Sequence, residues 1–289
     1  MKLLRFGAAG AEKPGMIDKV GILRDLSGVV ADISGDVLDP ASLAKLTALD
    51  PQTLPEVIGA PRIGPCVGNI GRIVCIGLNY SDHAAESGMA EPTEPVVFIK
   101  SCQSTGPNDD VTIPKGSTKP DWEVELAIVI GQRTQHVTEA DALDHVAGYA
   151  VANDVSERAF QLERGGQWTK GKSCEGFAPL GPWLVTADEV GDPQALGIWL
   201  EVNGKRYQDG STADQIFGVA TIVSYLSRFM VLMPGDVIMT GTPAGVGAGI
   251  KPDPVWIKPG DMVRLGIDKL GEQQQRFVAF EEAQAEAAQ

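Results

Sequence analysis

The chain has 289 residues, 43% hydrophobic and 21% charged, with a formal net charge of −14. These are the proportions of a folded globular protein, long enough for two domains or one large domain with an appendage at roughly 150 residues each, and its acidic surface makes nucleic acid a poor partner. No 18-residue apolar run and no apolar leader core occur, and the four cysteines (Cys66, Cys75, Cys102, Cys174) lack C-x-x-C spacing, so membrane, secretory and thiolate-zinc classes are set aside and a cytoplasmic protein with free thiols is expected.

Glycine and proline supply 53 of 289 residues, above the usual ~12%, which favours a turn-rich, strand-rich fold over a helical bundle. The first 70 residues read as a small module and linker. "KLLRFG" and "VGILRDL" are short strands, a helix begins after Asp39-Pro40 with Asp39 as N-cap, and four prolines between 51 and 65 mark an extended connection. From residue 71 to 280 the pattern is mainly strands: "IVCIG", "VVFIK", "EVELAIVIG", "VAGYAVAND", "WLVT", "DVIMTGT" and "DMVRLGI". Asn203-Gly204 between strand-like flanks predicts a hairpin. Two helices are predicted in this part, a short one over Glu139 to Leu143 capped by Thr138 and a longer one from Ala213 to Phe229. Residues 281–289 are a polar tail expected to fray. The fold class is α+β and β-rich.

Four segments carry candidate chemistry. In "DWEVELAIVIG", Glu123 and Glu125 alternate on a strand and project to one side, with Cα atoms roughly 6.5–7 Å apart. A solvated strand end is one reading; the apolar run that follows marks a buried strand, and carboxylates at its mouth suit a hard divalent cation. "VAGYAVANDVSER" ends an apolar strand in Asn153-Asp154, where Asp154 serves either as the cap of the next turn or as a third oxygen ligand. In "GLNYSDHAAESGM", His83 and Glu86 are three apart, one face of a helical turn. A carboxylate there orients an imidazole for taking a proton from water, and Gly77 and Gly88 permit a hinged lid. "GTPAGVGAG" lacks the Lys-Ser/Thr end of a nucleotide loop, though its amides and Thr242 could hold a carboxylate. Lys172 is a candidate cation for an anionic substrate, and Cys174 has no neighbouring histidine to activate it.

In this order, "GLNYSDHAAE", "DWEVELAIVIG", "GYAVANDVSER", "KGKS…FAPLGPW" and "MTGTPAGVG" resemble the fumarylacetoacetate hydrolase superfamily over about 70% of the chain. The resemblance implies a mixed β-sandwich roll, a homodimer, and Mg²⁺ or Mn²⁺ on Glu123, Glu125 and Asp154. It implies that His83 and Glu86 are the lid pair, that Lys172 is both catalytic and substrate-binding, and that Arg158, Gln161 and Thr242 contact substrate. Two departures, Ala159 where aspartate is common and Cys174-Glu175 where Phe-Asp is common, bear on substrate identity. The opening "KLLRFGAAGAEKPG" resembles members named as ureidoglycolate lyases or hydrolases of 2,4-diketo-3-deoxy sugar acids, of L-rhamnonate or L-fuconate type, and the second is the expectation here. Cleavage of a small 2,4-dioxo acid to pyruvate and a carboxylic acid follows. Oxaloacetate decarboxylation, dioxo-acid isomerisation and ureidoglycolate cleavage are the enzymatic alternatives, and a non-catalytic ligand-binding β-roll is the other.

Overall fold

A computed structural model of the chain describes residues 1–287. The opening strands β1 (Lys2–Phe6), β2 (Lys13–Ile17) and β3 (Leu23–Asp25) form an antiparallel meander, followed by α1 (Pro40–Thr47). Next come β4 (Ile73–Gly77), α2 (Ser81–Glu86), β5 (Val96–Lys100), β6 (Val111–Thr112), β7 (Pro120–Asp121) and β8 (Val124–Ile130). The middle of the chain holds α3 (Glu139–Ala142), β9 (Val146–Asn153), β10 (Ser156–Glu157), α4 (Arg158–Leu162), α5 (Thr169–Lys172), β11 (Leu180–Thr186) and α6 (Ala187–Val190). The last elements are β12 (Gly197–Val202), β13 (Lys205–Ser211), α7 (Val219–Ser227), β14 (Val237–Met239), β15 (Met262–Ile267), β16 (Gly271–Val278) and α8 (Phe280–Ala287).

These strands make a nine-stranded sheet in the order β3-β2-β1-β11-β9-β8-β14-β4-β5, a five-stranded sheet in the order β13-β12-β15-β16-β6, and a short β10-β7 ladder. β8 and β9 lie at the centre of the large sheet and are buried along their whole length. Alternation divides their side chains between two cores. Leu126, Ile128, Tyr149 and Val151 face the smaller sheet and α7, whereas Ala127, Val129, Ala150 and Ala152 face the side covered by the N-terminal residues. Away from the end where Glu125 and Asn153 lie, a strand buried on both faces favours apolar side chains at every position, which is why these segments read as apolar runs. The opening strands extend the same large sheet, since Lys2 and Leu3 pair with Val185 and Leu184 of β11.

Several local expectations are met for the reasons that motivated them. Asp39 accepts from the amides of Ala41 and Ser42 at the start of α1, with Pro40 in the first turn. Asn203 and Gly204 adopt φ of 51° and 78° and turn β12 into β13, the left-handed pair that a two-residue hairpin requires. Thr138 caps α3. The long helix is shorter than its periodicity predicts and spans Val219–Ser227. Residues 215–217 are instead held extended by Asn79, whose backbone oxygen accepts from Ile216 N at 2.8 Å and whose side chain bonds Phe217 at both its N–H and its C=O. Tertiary hydrogen bonds override helical spacing there, and Phe229 is left 66% exposed. The polar tail is helical through Ala287, with residues 288 and 289 outside those described. Among the described residues no helix is long and apolar enough to cross a membrane.

Candidate active site

Antiparallel pairing of β8 with β9 sets Val124 opposite Asn153. The residue before β8, Glu123, and the residue after β9, Asp154, therefore meet, with the Asp154 amide donating to Glu123 O at 2.9 Å. Glu125 lies one alternation further along, and one oxygen from each of the three carboxylates lies within 4.8 Å of the others. All three residues are buried, at 5%, 1% and 0% exposure for Glu123, Glu125 and Asp154.

Three buried cations surround this cluster. Lys172 donates to Glu123 Oε2 at 2.7 Å and to Asp154 Oδ2 at 2.9 Å. Lys100, at the end of β5, pairs with Asp154 Oδ1 and donates to Val155 O. Arg158 Nη2 lies 2.6 Å from Glu123 Oε1, and its Nε donates to Asp121 at 2.8 Å. Burial alone would raise the Glu123 carboxyl, but the charges of Lys172 and Arg158 hold it well below the usual range. Glu125 behaves in the opposite way. Burial and the charges of Asp154 and Glu123 push it well above its ordinary value, and among the described residues its carboxylate accepts from Gly241 N at 2.7 Å.

That imbalance is the test of whether a metal suits the site. Four carboxylates (Asp121, Glu123, Glu125, Asp154) meet three cations, and Glu125 is the one without a cation of its own. A convergent set of hard oxygen donors with one uncompensated charge fits a hard divalent cation.

Above the carboxylates, α2 presents His83 and Glu86 on one face, with His83 Nδ1 3.5 Å from Glu86 Oε2. His83 is 7% exposed, and its Nδ1 has no hydrogen-bond partner among the described residues. Glu86 itself is anchored, since both its oxygens lie 3.1 Å from Gly245 N. Gly88, just past the helix, has a φ of 69°, a left-handed turn that ends the segment.

A cavity of about 270 Å³ joins these parts. Its wall takes in His83 and Glu86 from α2, and Glu123, Glu125 and Lys172 from the floor. Arg158, Gln161 and Thr242 also line it, while Asp154 lies beneath, fully buried. Every candidate residue named from the sequence thus belongs to one neighbourhood. A roomier cleft of about 450 Å³ beside α1, walled by Leu38, Leu43 and Leu143, carries no comparable donor set.

Two candidates are already engaged. Thr242 donates its hydroxyl proton to Val124 O at 2.8 Å and accepts from Gln208 at 2.7 Å, so it has no proton to offer a substrate carboxylate. The carboxylates on the glycine-rich loop are the protein's own: Gly241 N binds Glu125, Gly245 N binds Glu86, and Gly247 N and Ala248 N bind Asp121 at 2.6 and 3.0 Å.

Lys100 and Asp121 are additional members of the site. In β5, Phe98 and Lys100 point inward while Val97 and Ile99 are exposed, so a lysine at inward parity was the available signal. Asp121 extends the Glu123–Glu125 alternation by one step, a pattern visible in "DWEVE".

The family model described as "Fumarylacetoacetate (FAA) hydrolase C-terminal" matches residues 72–278. A Burkholderia orbicola protein bearing a provisional hydrolase name is 62% identical over 277 residues, 96% of this chain and 98% of its own. The solved fumarylacetoacetate hydrolase of Exiguobacterium antarcticum superposes with a TM-score of 0.85 at 36% identity, covering 96% of this chain and 99% of that one. A 2-hydroxyhepta-2,4-diene-1,7-dioate isomerase of Mycobacterium marinum superposes with a TM-score of 0.74 at 31% identity, over 97% and 99% of the two chains.

Proposed function

Because the chain belongs to the fumarylacetoacetate hydrolase family, whose members are hydrolases and isomerases, we propose that it is a metal-dependent hydrolase of 2,4-dioxo acids, releasing pyruvate and a carboxylic acid. The observation that carries this reading is the anchored His83–Glu86 pair set over three convergent carboxylates in a single cavity. Glu123, Glu125 and Asp154 would hold Mg²⁺ or Mn²⁺, which when bound supplies Lewis-acid polarisation of the substrate's 1-carboxylate and 2-oxo oxygens.

The protein's own groups account for the remaining steps. His83 takes a proton from water while Glu86, fixed by Gly245 N, orients the imidazole and stabilises its charged form. Hydroxide adds to the 4-carbonyl carbon. The tetrahedral adduct collapses with rupture of the C3–C4 bond, and that electron pair passes to C3 as the enolate of pyruvate. Return of the proton from His83 to C3 completes pyruvate, and the acyl fragment leaves as a carboxylic acid. Lys172, a buried ammonium on the cavity wall, favours the enolate charge, a fixed positive charge being worth far more where water is excluded.

The test is pyruvate release from synthetic acylpyruvates, assayed with and without EDTA. Metal-dependent release that chelation abolishes and Mg²⁺ or Mn²⁺ restores is expected; no pyruvate with either metal would overturn the reading. Likeness to a solved isomerase favours a second reading, isomerisation in the same cavity. Under that reading no water is activated, and the diagnostic is a rearranged acid with its carbon chain intact.

A further inference from the structure

The inner face of β16 breaks a pattern that its neighbours in the smaller sheet keep. Inward positions of β12 and β15 carry Ile198, Leu200, Val202, Val263, Leu265 and Ile267. Alternation in β16 instead turns Gln273 and Gln275 inward, at 1% and 0% exposure, with Glu272 and Gln274 outward. Polar side chains in such a core must find partners, and these two head a chain of buried amides that ends on the active-site floor. Gln273 Nε2 donates to Val151 O at 2.7 Å and to Gly181 O at 3.0 Å. Gln275 Nε2 donates to Pro107 O at 2.6 Å and to Gln273 Oε1 at 2.9 Å. Gln275 Oε1 accepts from Asn153 Nδ2 at 3.0 Å, and Asn153 Oδ1 accepts from the Glu123 amide at 3.2 Å. Asn153 is itself fully buried.

The direction of this chain is fixed at both ends. A backbone carbonyl can only accept and a backbone N–H can only donate. Pro107, Val151 and Gly181 therefore settle which end of each glutamine is the NH2, and the Glu123 amide settles which end of Asn153 is the oxygen. Turning over any one of the three amides would set oxygen against oxygen and N–H against N–H at its junctions. Val151 and Gly181 belong to β9 and β11 of the large sheet, and both glutamines belong to the smaller one. The two sheets thus converge, through side-chain amides, on a single peptide group at the mouth of β8.

We propose that Asn153 and Gln275 are positioning residues for Glu123, holding its peptide in one orientation and so fixing its carboxylate as a metal ligand. The inference rests on the metal assignment made under the proposed function. Lys172 and Arg158 hold the Glu123 carboxylate itself. The amide chain holds the backbone that carries it, from within the core. Loss of a partner standing behind a metal ligand typically costs about 10–100-fold in metal affinity.

The test reads Mn²⁺ binding, not turnover, by electron paramagnetic resonance of the free and bound ion. Gln275→Met removes the acceptor of Asn153 Nδ2 together with both donated bonds. Gln275→Glu keeps an acceptor oxygen for Asn153 in either protonation state and loses at least one donated bond. Both variants should lower the metal-free Tm. Only Gln275→Met should raise the Mn²⁺ Kd, by about tenfold or more, and change the spectrum of the bound ion, while Gln275→Glu stays within about twofold. An unchanged Kd and spectrum in Gln275→Met overturns the positioning role. Equal weakening in both variants overturns it too, since affinity would then follow stability alone. If Gln275→Met does not fold, Asn153→Ala is measured in its place: it leaves both glutamines on their carbonyls and withdraws the oxygen from the Glu123 amide. The same tenfold weakening is expected there, and an unchanged Kd overturns the role. Failure of the unaltered protein to bind Mn²⁺ removes the metal assignment and the role that rests on it. Mn²⁺ bound alike by the unaltered protein and Gln275→Met removes the role alone. No pyruvate is measured, so the result is the same for a hydrolase and an isomerase.

Discussion

The floor and the lid of the cavity are built by opposite means. The floor sits at the centre of a nine-stranded sheet, where Glu123 and Asp154 are brought together by strand register and each is gripped by two cations. The lid is α2, a six-residue helix whose Glu86 is held by one loop amide and whose His83 Nδ1 makes no hydrogen bond among the described residues. The floor carboxylates Glu123 and Asp154 are over-determined by their ion pairs, whereas His83 Nδ1, among the described residues, has only the Glu86 carboxylate near it, at 3.5 Å.

Four outcomes would break or sharpen that contrast. The largest effect is expected at Asp154, which neutralises both Lys100 and Lys172. Asp154→Ala strands the buried Lys100 ammonium, leaves Lys172 with Glu123 alone, and should lower unfolding free energy by about 3–5 kcal/mol, measured by urea titration; a change within about 1 kcal/mol would show that the floor is not an electrostatic unit. His83→Ala should leave stability and metal-dependent oxalate binding close to the unaltered protein while slowing pyruvate release at least about a hundredfold, near 2.7 kcal/mol in barrier. An unchanged rate would remove the water-activating role. Glu125→Ala should abolish metal-dependent thermal stabilisation, a loss of about 2.7 kcal/mol at a metal concentration near 100 Kd. Because Glu125 has no cation of its own, the metal-free variant should be no less stable than the parent, which differential scanning calorimetry reads directly. The smallest effect belongs to Gly249→Ala, whose added methyl would displace the Glu86 carboxyl. Turnover should fall about tenfold with Tm unchanged, and equal turnover would mean that the Glu86–Gly245 contact does not position His83.

Most of the large sheet and most of the site could be read from sequence because both depend on alternation. Glu123 and Glu125 share a side for the same reason that Leu126 and Ile128 do. What the sequence did not disclose depends on chain crossings. Lys100 is a strand-terminal lysine until β5 is laid beside β4, and only then does its ammonium reach Asp154. α7 starts later than its periodicity predicts because the hydrogen bonds of Asn79 come from a residue about 140 positions away, and helical periodicity over Ala213 to Val219 carries no trace of them. The resemblance implies that Arg158 contacts substrate; it lines the cavity with its guanidinium shared among Asp121, Glu123 and Gln161, a division that spacing cannot express.

The loop from Gly241 to Ala248 holds its three carboxylates through backbone amides, and this determines which changes it can absorb. Gly241, Gly245, Gly247 and Ala248 serve as graduations on one ruler, fixing the separations of Glu125, Glu86 and Asp121. Amides are supplied by any residue but proline, so drift of side chains is tolerated wherever a Cβ has room. Length is not negotiable: inserting or deleting one residue would move lid, floor and arginine anchor out of step together, a failure that no single compensating substitution could repair.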